Sequence, residues 1–179
     1  MKHILITGAQ GVGKSTLIQR VLKEMGRTVY GFVTLREPSM EDPELGVPVY
    51  IHFPDEPRKY TQENLLGYGN SRRVNMVTGA FDRYAPRLLA PLPEDGVICF
   101  DELGFLESRE EAFCAAVLSR LDGDIPVIAA VKDMDLSFLN QIRQHPKCQC
   151  LFISEENRDE LFYEALALLN ANFEPKGEN

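Results

Sequence analysis

Eight residues near the N-terminus have the types and spacing that hold a triphosphate. They read Gly8-Ala9-Gln10-Gly11-Val12-Gly13-Lys14-Ser15, which fits the pattern G-x-x-x-x-G-K-[ST]. The glycines let backbone amides approach the phosphates, and Lys14 adds a mobile positive charge. The Ser15 hydroxyl is placed to bind Mg²⁺, and the next residue, Thr16, is placed to reach the α-phosphate. We therefore expect the octet and Thr16 to bind a nucleotide, with Lys14 also catalytic.

Two adjacent acids predict the other half of this site. Asp101 and Glu102 follow four apolar residues, 97–100, that are typical of a strand buried on both faces. Ligands of open α/β sheets bind at the carboxyl ends of such strands. We expect Asp101 to bind Mg²⁺ and Glu102 to orient or deprotonate an attacking water. The plainer alternative for Glu102 is a solvated loop acid.

The later sequence argues against a regulatory GTPase. Residues 101–104 fit the D-x-x-G pattern of those proteins, which also carry a guanine-reading N-K-x-D element. The comparable segment here is Val131-Lys132-Asp133-Met134, which lacks the asparagine and the final aspartate. Lys132 follows the next apolar run, where either a sensor of the γ-phosphate or a solvated lysine fits.

Alternating strands and helices must position these residues. Apolar patterns predict strands over 2–7, 28–34, 97–100, 125–131 and 148–153, and helices over 14–25, 80–89, 108–121, 137–144 and 157–169. Ser108 with Glu111, and Asn157 with Glu160, fit capping boxes at two helix starts. The alternation predicts an α/β fold in three layers, with a mainly parallel sheet covered on both sides.

Residues 36–79 interrupt this alternation. They are rich in proline, glycine and charge, with strand-like bursts over 47–53 and 74–77. We expect a short β-rich insertion in which prolines such as Pro48 restrict the strands to edges or turns. The length suits one domain, 1–179, with a frayed polar tail over 170–179.

Four segments together resemble the THEP1-type nucleoside triphosphatases. They are the octet, Gly31-Phe32-Val33-Thr34, Asp101-Glu102-Leu103-Gly104 with Glu107, and Glu156-Asn157-Arg158. Their order and spacing cover nearly the whole chain. The resemblance implies a P-loop NTPase with a RecA-like core that slowly hydrolyses ATP, GTP and other nucleotides to the diphosphate and phosphate, with Mg²⁺.

The resemblance also implies positions for the remaining site residues. It gives Lys14 and Ser15 the phosphate and metal roles, Asp101 the metal role and Glu102 the role of base. It places Asn157 and Arg158 near the base or ribose, where the Arg158 guanidinium is suited to stack on a base. The alternative is that Asn157 only caps a helix and Arg158 is solvated.

Composition restricts the partners. A net charge of −8 argues against general nucleic-acid binding, which favours a basic face. No apolar run approaches the length of a membrane span, and no secretory signal is evident. The four cysteines form no C-x-x-C pair, which favours reduced thiols and a cytoplasmic location. We expect a nucleoside triphosphate as the partner; no protein partner is evident.

The sequence thus predicts a Mg²⁺-dependent nucleoside triphosphatase with broad base specificity. One alternative is a small-molecule or nucleoside kinase that uses the basic cluster of Arg72, Arg73, Arg83 and Arg87 as lid and acceptor site. In the plainer interpretation these arginines balance nearby surface acids. The other alternative is a nucleotide-binding switch that acts on a partner protein through the 36–79 insertion.

Overall fold

The computed structural model describes residues 3–69 and 74–173, and these ranges contain eight strands and five α-helices. The strands are β1 (His3–Gly8), β2 (Val29–Arg36), β3 (Val47–His52), β4 (Leu65–Gly69), β5 (Val74–Met76), β6 (Val97–Leu103), β7 (Val127–Lys132) and β8 (Cys148–Phe152). The helices are α1 (Lys14–Met25), α2 (Ala85–Leu89), α3 (Glu111–Asp122), α4 (Ser137–Arg143) and α5 (Arg158–Asn170). Of these helices, none is both long enough and apolar enough to cross a membrane.

All eight strands join one sheet in the order β5-β4-β3-β2-β6-β7-β1-β8. The run β2-β6-β7-β1-β8 is parallel throughout, and β3, β4 and β5 extend it in antiparallel fashion beyond β2. The predicted α/β fold with a RecA-like parallel core is therefore confirmed, and the 36–79 insertion supplies the three added strands. In this order β7 lies between β1, which precedes the octet, and β6, which carries the acidic pair.

The sheet is buried on both faces by two helical layers. On β1, Ile4 and Ile6 contribute to the core beneath α1 and α5, and Leu5 contributes to the core on the opposite face. That second core is built on aromatic rings, with Phe32 stacked on Phe100 at 5.1 Å between centroids. Because apolar side chains point both ways, the strands are fixed in register and their carboxyl ends form one rigid edge.

Both predicted capping boxes are wrong. Helix α3 begins at Glu111, and the Ser108 hydroxyl instead donates to the Gly104 carbonyl at 2.7 Å. Asn157 does precede α5, but its side chain makes no cap hydrogen bond. In both cases a nearby loop backbone satisfies the polar side chain in place of the helix amides, a competition that these residue types allow.

The insertion also differs from its predicted form. Strand β4 was not predicted, because the segment Leu65–Gly69 contains two glycines, which strands generally disfavour. Pro48 lies in β3, which is an interior strand of the sheet, so its restriction to edges or turns is wrong. The strand tolerates Pro48 because pairing with β2 ends at Val49, one residue away, and the Pro48 carbonyl still accepts from the Glu37 N–H at 3.0 Å.

The helix predicted over 80–89 is shorter in the structure, because a 3₁₀ turn, Asp82–Tyr84, precedes α2.

Candidate active site

The octet forms the bend between β1 and α1. Gly13 precedes α1 with φ 105°, a left-handed conformation that glycine adopts readily. At Gly8, with φ 149°, a Cβ would lie 2.5 Å from the Ile153 carbonyl oxygen. Glycine at both positions therefore lets the loop bend and lie against the segment that follows β8. The Val12 side chain packs into the core, and its N–H donates to the Ala9 carbonyl at 3.4 Å within the loop.

Lys14 lies at the centre of the bend and is only 7% exposed. Its Nζ donates to the carbonyl oxygens of Gly8 at 3.1 Å and Ala9 at 3.0 Å. The same Nζ lies 3.6 Å from Glu102 Oε1. The structure thus brings the predicted phosphate-binding lysine and the predicted base within ion-pair distance of each other.

Ser15 and Asp101 meet across the carboxyl edge of the sheet. The Ser15 hydroxyl donates to Asp101 Oδ1 at 2.8 Å. Burial raises the pKa of Asp101 above its ordinary value, and the Ser15 hydrogen bond opposes that rise. A hydroxyl and a carboxylate this close are hard oxygen donors of the kind that Mg²⁺ takes. Within the described residues no three His, Cys, Asp or Glu side chains gather as a metal cluster, so substrate phosphates and water would have to complete such a site.

Thr34 is a site residue to which the sequence had assigned no role. Its Oγ1 donates to the Asp101 carbonyl at 3.5 Å and accepts from the Glu102 N–H at 3.3 Å. It therefore contacts both polar groups, the carbonyl and the N–H, of the peptide bond that joins the two acids. The sequence did contain an indication of this role. Thr34 is a hydroxyl residue at the carboxyl end of the predicted strand 28–34, and the acids were expected at the same edge of the sheet.

Glu107 and Lys132 lie beneath and beside the acidic pair. The Glu107 carboxylate accepts from the Gly104 N–H, and its burial raises its pKa to about 7. The Lys132 stem packs on Gly104, where an added Cβ would come within 2.9 Å of Lys132 Cδ. The Lys132 ammonium lies 4.9 Å from the centre of the Phe105 ring. These contacts fix the loop after β6 against the end of β7.

A family profile described as NTPase matches residues 3–166 of the chain. The chain belongs to this NTPase family. The match runs from β1 into α5 and so includes the octet, the acidic pair and the turn before α5.

Curated relatives of this NTPase-family chain match nearly its full length. The chain is 28% identical over 187 aligned positions to "Nucleoside-triphosphatase THEP1" of Aquifex aeolicus (strain VF5), covering 93% of this chain and 98% of that protein. It is 27% identical over 190 positions to "Cancer-related nucleoside-triphosphatase homolog" of Mus musculus, covering 96% and 98%. These matches, like the profile, bear out the resemblance to THEP1-type nucleoside triphosphatases.

Two solved structures of the family share the fold. The crystal structure of THEP1 from Aquifex aeolicus superposes with a TM-score of 0.67 at 24% identity, covering 94% of this chain and 99% of that one. The solution structure of a human cancer-related nucleoside triphosphatase gives a TM-score of 0.65 at 22% identity, covering 96% and 98%. At these identities the superpositions establish the fold of this NTPase-family chain.

The turn before α5 lies on the other side of the octet from the acidic pair. Asn157 Oδ1 accepts from the Ser154 N–H at 2.8 Å, and its Nδ2 donates to the Phe152 carbonyl at 2.9 Å. Arg158 is a surface residue, and its guanidinium lies 3.6 Å from Glu155. Asn157 thus shapes the turn with its whole amide, and the Arg158 guanidinium lies exposed at the surface of this turn.

The basic cluster is not brought to this site as a group. Arg83 donates to the carbonyls of Ala80 and Leu65, and Arg87 pairs with Asp55 and Glu56. Arg83 therefore connects the 3₁₀ turn before α2 to β4, and Arg87 of α2 pairs with acids of the insertion, as the plainer interpretation expects for Arg87. Arg72 and Arg73 lie outside the described residues.

Proposed function

We propose that this protein is a Mg²⁺-dependent nucleoside triphosphatase that removes the γ-phosphate of ATP, GTP and other nucleoside triphosphates. Membership of the NTPase family supports hydrolysis of nucleoside triphosphates. The observation that carries the proposal is the convergence of four side chains, Lys14, Ser15, Asp101 and Glu102, at one edge of the sheet.

The octet and α1 are suited to bind the phosphates. Backbone amides of the bend and the first turn of α1 offer donors, and the positive end of the helix dipole adds to their attraction for anions. The Lys14 ammonium is suited to exchange its carbonyl contacts for phosphate oxygens. Ser15 and Asp101 would hold Mg²⁺, which when bound neutralises charge on the phosphates.

Glu102 is suited to be the base. It accepts a proton from water as the water oxygen attacks the γ-phosphorus and the bond to the bridging oxygen of the diphosphate breaks. Thr34, which contacts the Asp101–Glu102 peptide, would keep the carboxylate in place. Lys14 and the loop amides stabilise the charge that spreads over the phosphoryl oxygens.

Broad base specificity is supported by the side chains beyond the octet. Asn157 uses its amide on the backbone of its own turn and is therefore not available to read base edges. A stack on Arg158 would discriminate little among bases, because every base has a π-face.

Phosphate release tests this proposal. We expect ATP, GTP, CTP and UTP to be hydrolysed at comparable rates with Mg²⁺, and release to stop when EDTA removes the metal. Release from one nucleotide alone would contradict the broad specificity, and an unchanged rate in EDTA would contradict the metal role.

A further inference from the structure

A cavity of about 480 Å³ opens beside Glu102, on the side of the octet that faces the insertion. Its walls include Gln10 from the octet, Thr34 and Arg36 from β2, and Tyr68 from β4. Hydrolysis requires room beside Glu102 for the γ-phosphoryl group and one attacking water, and the share of liquid volume of that water is about 30 Å³. Pockets that bind small molecules measure roughly 300–1,000 Å³. The space beside the base is therefore far larger than water requires and has the size of a metabolite site.

The charges around this cavity favour an anion. Lys132 and Arg36 both line it, and Glu102 is the one acid among the described lining residues. Arg36 Nη2 donates to the Gly69 carbonyl at 2.9 Å, which places the guanidinium at the β2–β4 side of the cavity. The lining of this cavity thus carries more positive than negative side chains, whereas the chain as a whole has a net charge of −8. Glu102 is the group in this lining that can accept a proton from a hydroxyl.

Gly69 keeps one wall of the cavity open. Among the described residues, a Cβ at this position would meet no atom within 4 Å, and the backbone is not in the left-handed region that favours glycine. Neither the backbone conformation nor the packing of the described residues therefore requires glycine here. Its neighbour Gly67 differs, because a Cβ there would collide with the backbone of β5.

We propose that this cavity is an acceptor site for a small anionic alcohol, which takes the γ-phosphoryl group in place of water. This rests on the proposed function, since it uses the same octet and the same base. Glu102 accepts the hydroxyl proton, the alcohol oxygen forms a bond to the γ-phosphorus, and the bridging P–O bond breaks so that the nucleoside diphosphate leaves with the electron pair. Arg36 and Lys132 hold the anionic group of the acceptor. The products are a phosphate ester and a nucleoside diphosphate.

The test uses pairs of alcohols that differ in charge. The intact protein is incubated with ATP, Mg²⁺ and a high millimolar concentration of glycerate, glycerol 3-phosphate or neutral glycerol, and ³¹P NMR separates phosphate esters from free phosphate. We expect ester from both anionic alcohols and at least about tenfold less from glycerol, a difference that corresponds to about 1.4 kcal/mol. No ester from either anionic alcohol while phosphate is still released would overturn the acceptor site, as would equal transfer to glycerol. Loss of phosphate release in the absence of any alcohol would instead contradict the proposed hydrolase.

Variants at Gly69 link the transfer to the cavity. Because Gly69 is part of the cavity wall, we expect the bulky side chain of Gly69→Leu to lower the ratio of ester to free phosphate at least about tenfold. Gly69→Ala, the matched small substitution, should keep most of the transfer. Unchanged ratios in both variants would show that transfer occurs elsewhere and overturn the assignment.

Discussion

The Ser15 hydroxyl donates a hydrogen bond of 2.8 Å to Asp101 Oδ1, although the strands that lead to the two residues are not neighbours in the sheet. Strand β7 lies between them, and the contact is made because α1 begins over the carboxyl ends of the central strands. This arrangement leaves room between the octet and β6 for the side chain of Glu102, which reaches Lys14. The pair that we propose to hold Mg²⁺, Ser15 and Asp101, therefore lies beside the contact between Lys14 and the proposed base Glu102.

Replacement of Lys14 should affect both binding and turnover. Lys14→Ala removes the charge that we propose to bind the β- and γ-phosphates, so we expect kcat to fall by at least about 100-fold and nucleotide affinity to weaken. Steady-state kinetics and nucleotide titration measure the two effects. Lys23→Ala, an exposed lysine of the same helix, is the control and should retain both. Full turnover in Lys14→Ala would contradict the phosphate role.

Thr34 should act as a positioning residue. Thr34→Val keeps the shape and removes the hydroxyl that contacts the Asp101–Glu102 peptide, so we expect kcat to fall about 10- to 100-fold with little change in KM. Thr34→Ser, which restores the hydroxyl, should recover most of the rate. A rise in KM alone, or failure of serine to rescue, would argue that the residue has a packing role only.

Ionisation of the Glu107 carboxyl group should make the free energy of unfolding depend on pH. Burial raises its pKa from 4.5 to about 7, with Lys132 opposing and Glu102 adding to the rise. The folded protein therefore holds this proton more tightly than the unfolded chain does. The resulting stabilisation is complete below about pH 4.5 and is lost as the pH rises through about 7.

The Glu107→Gln variant isolates this effect because glutamine does not ionise. Relative to the natural chain, the variant should gain free energy of unfolding by on the order of 3 kcal/mol as the pH rises across that window. Urea denaturation of both proteins at several pH values measures the difference. A difference that stays constant with pH would contradict the raised pKa.

Arg158 should contribute to affinity for all nucleotides alike. Loss of a guanidinium stacked on the base costs about 0.5–2 kcal/mol, so Arg158→Ala should raise KM for ATP, GTP, CTP and UTP by similar factors and leave kcat unchanged. Glu155→Gln removes the ion-pair partner of Arg158 and keeps the guanidinium, and it should bind normally. An effect on one nucleotide only would assign Arg158 a reading role, and no effect on any would make it a solvated residue.

The sequence predicted the parallel core because its signals are local. The octet lies between an apolar strand and a helix, and 97–100 is apolar throughout, so these segments identify their own structure. That the octet and residues 101–102 form one site was inferred from the rule that ligands bind at the carboxyl ends of parallel strands. The contacts of Lys14 with Glu102 and of Ser15 with Asp101 come from the structure.

What the sequence did not predict depends on contacts that are selected only in the folded chain. Strand β4 exists because β3 and β5 pair with it on both sides, which outweighs the low strand propensity of Gly67 and Gly69. Ser108 and Asn157 have the spacing of capping residues, but each finds a loop partner that only the folded chain supplies. The contact of Thr34 with the acidic pair likewise depends on the pairing of β2 with β6.

Glu102→Gln tests the proposed hydrolysis most directly. Phosphate release from Mg²⁺–ATP and Mg²⁺–GTP is compared between the natural chain, Glu102→Gln and Glu111→Gln, an exposed acid of α3 that serves as control. Because glutamine cannot accept the proton of the attacking water, release should fall about 10²- to 10⁴-fold in Glu102→Gln, while the affinity for both nucleotides stays near that of the natural chain. Phosphate release at the natural rate in Glu102→Gln would contradict the assignment of the base and with it the proposed mechanism.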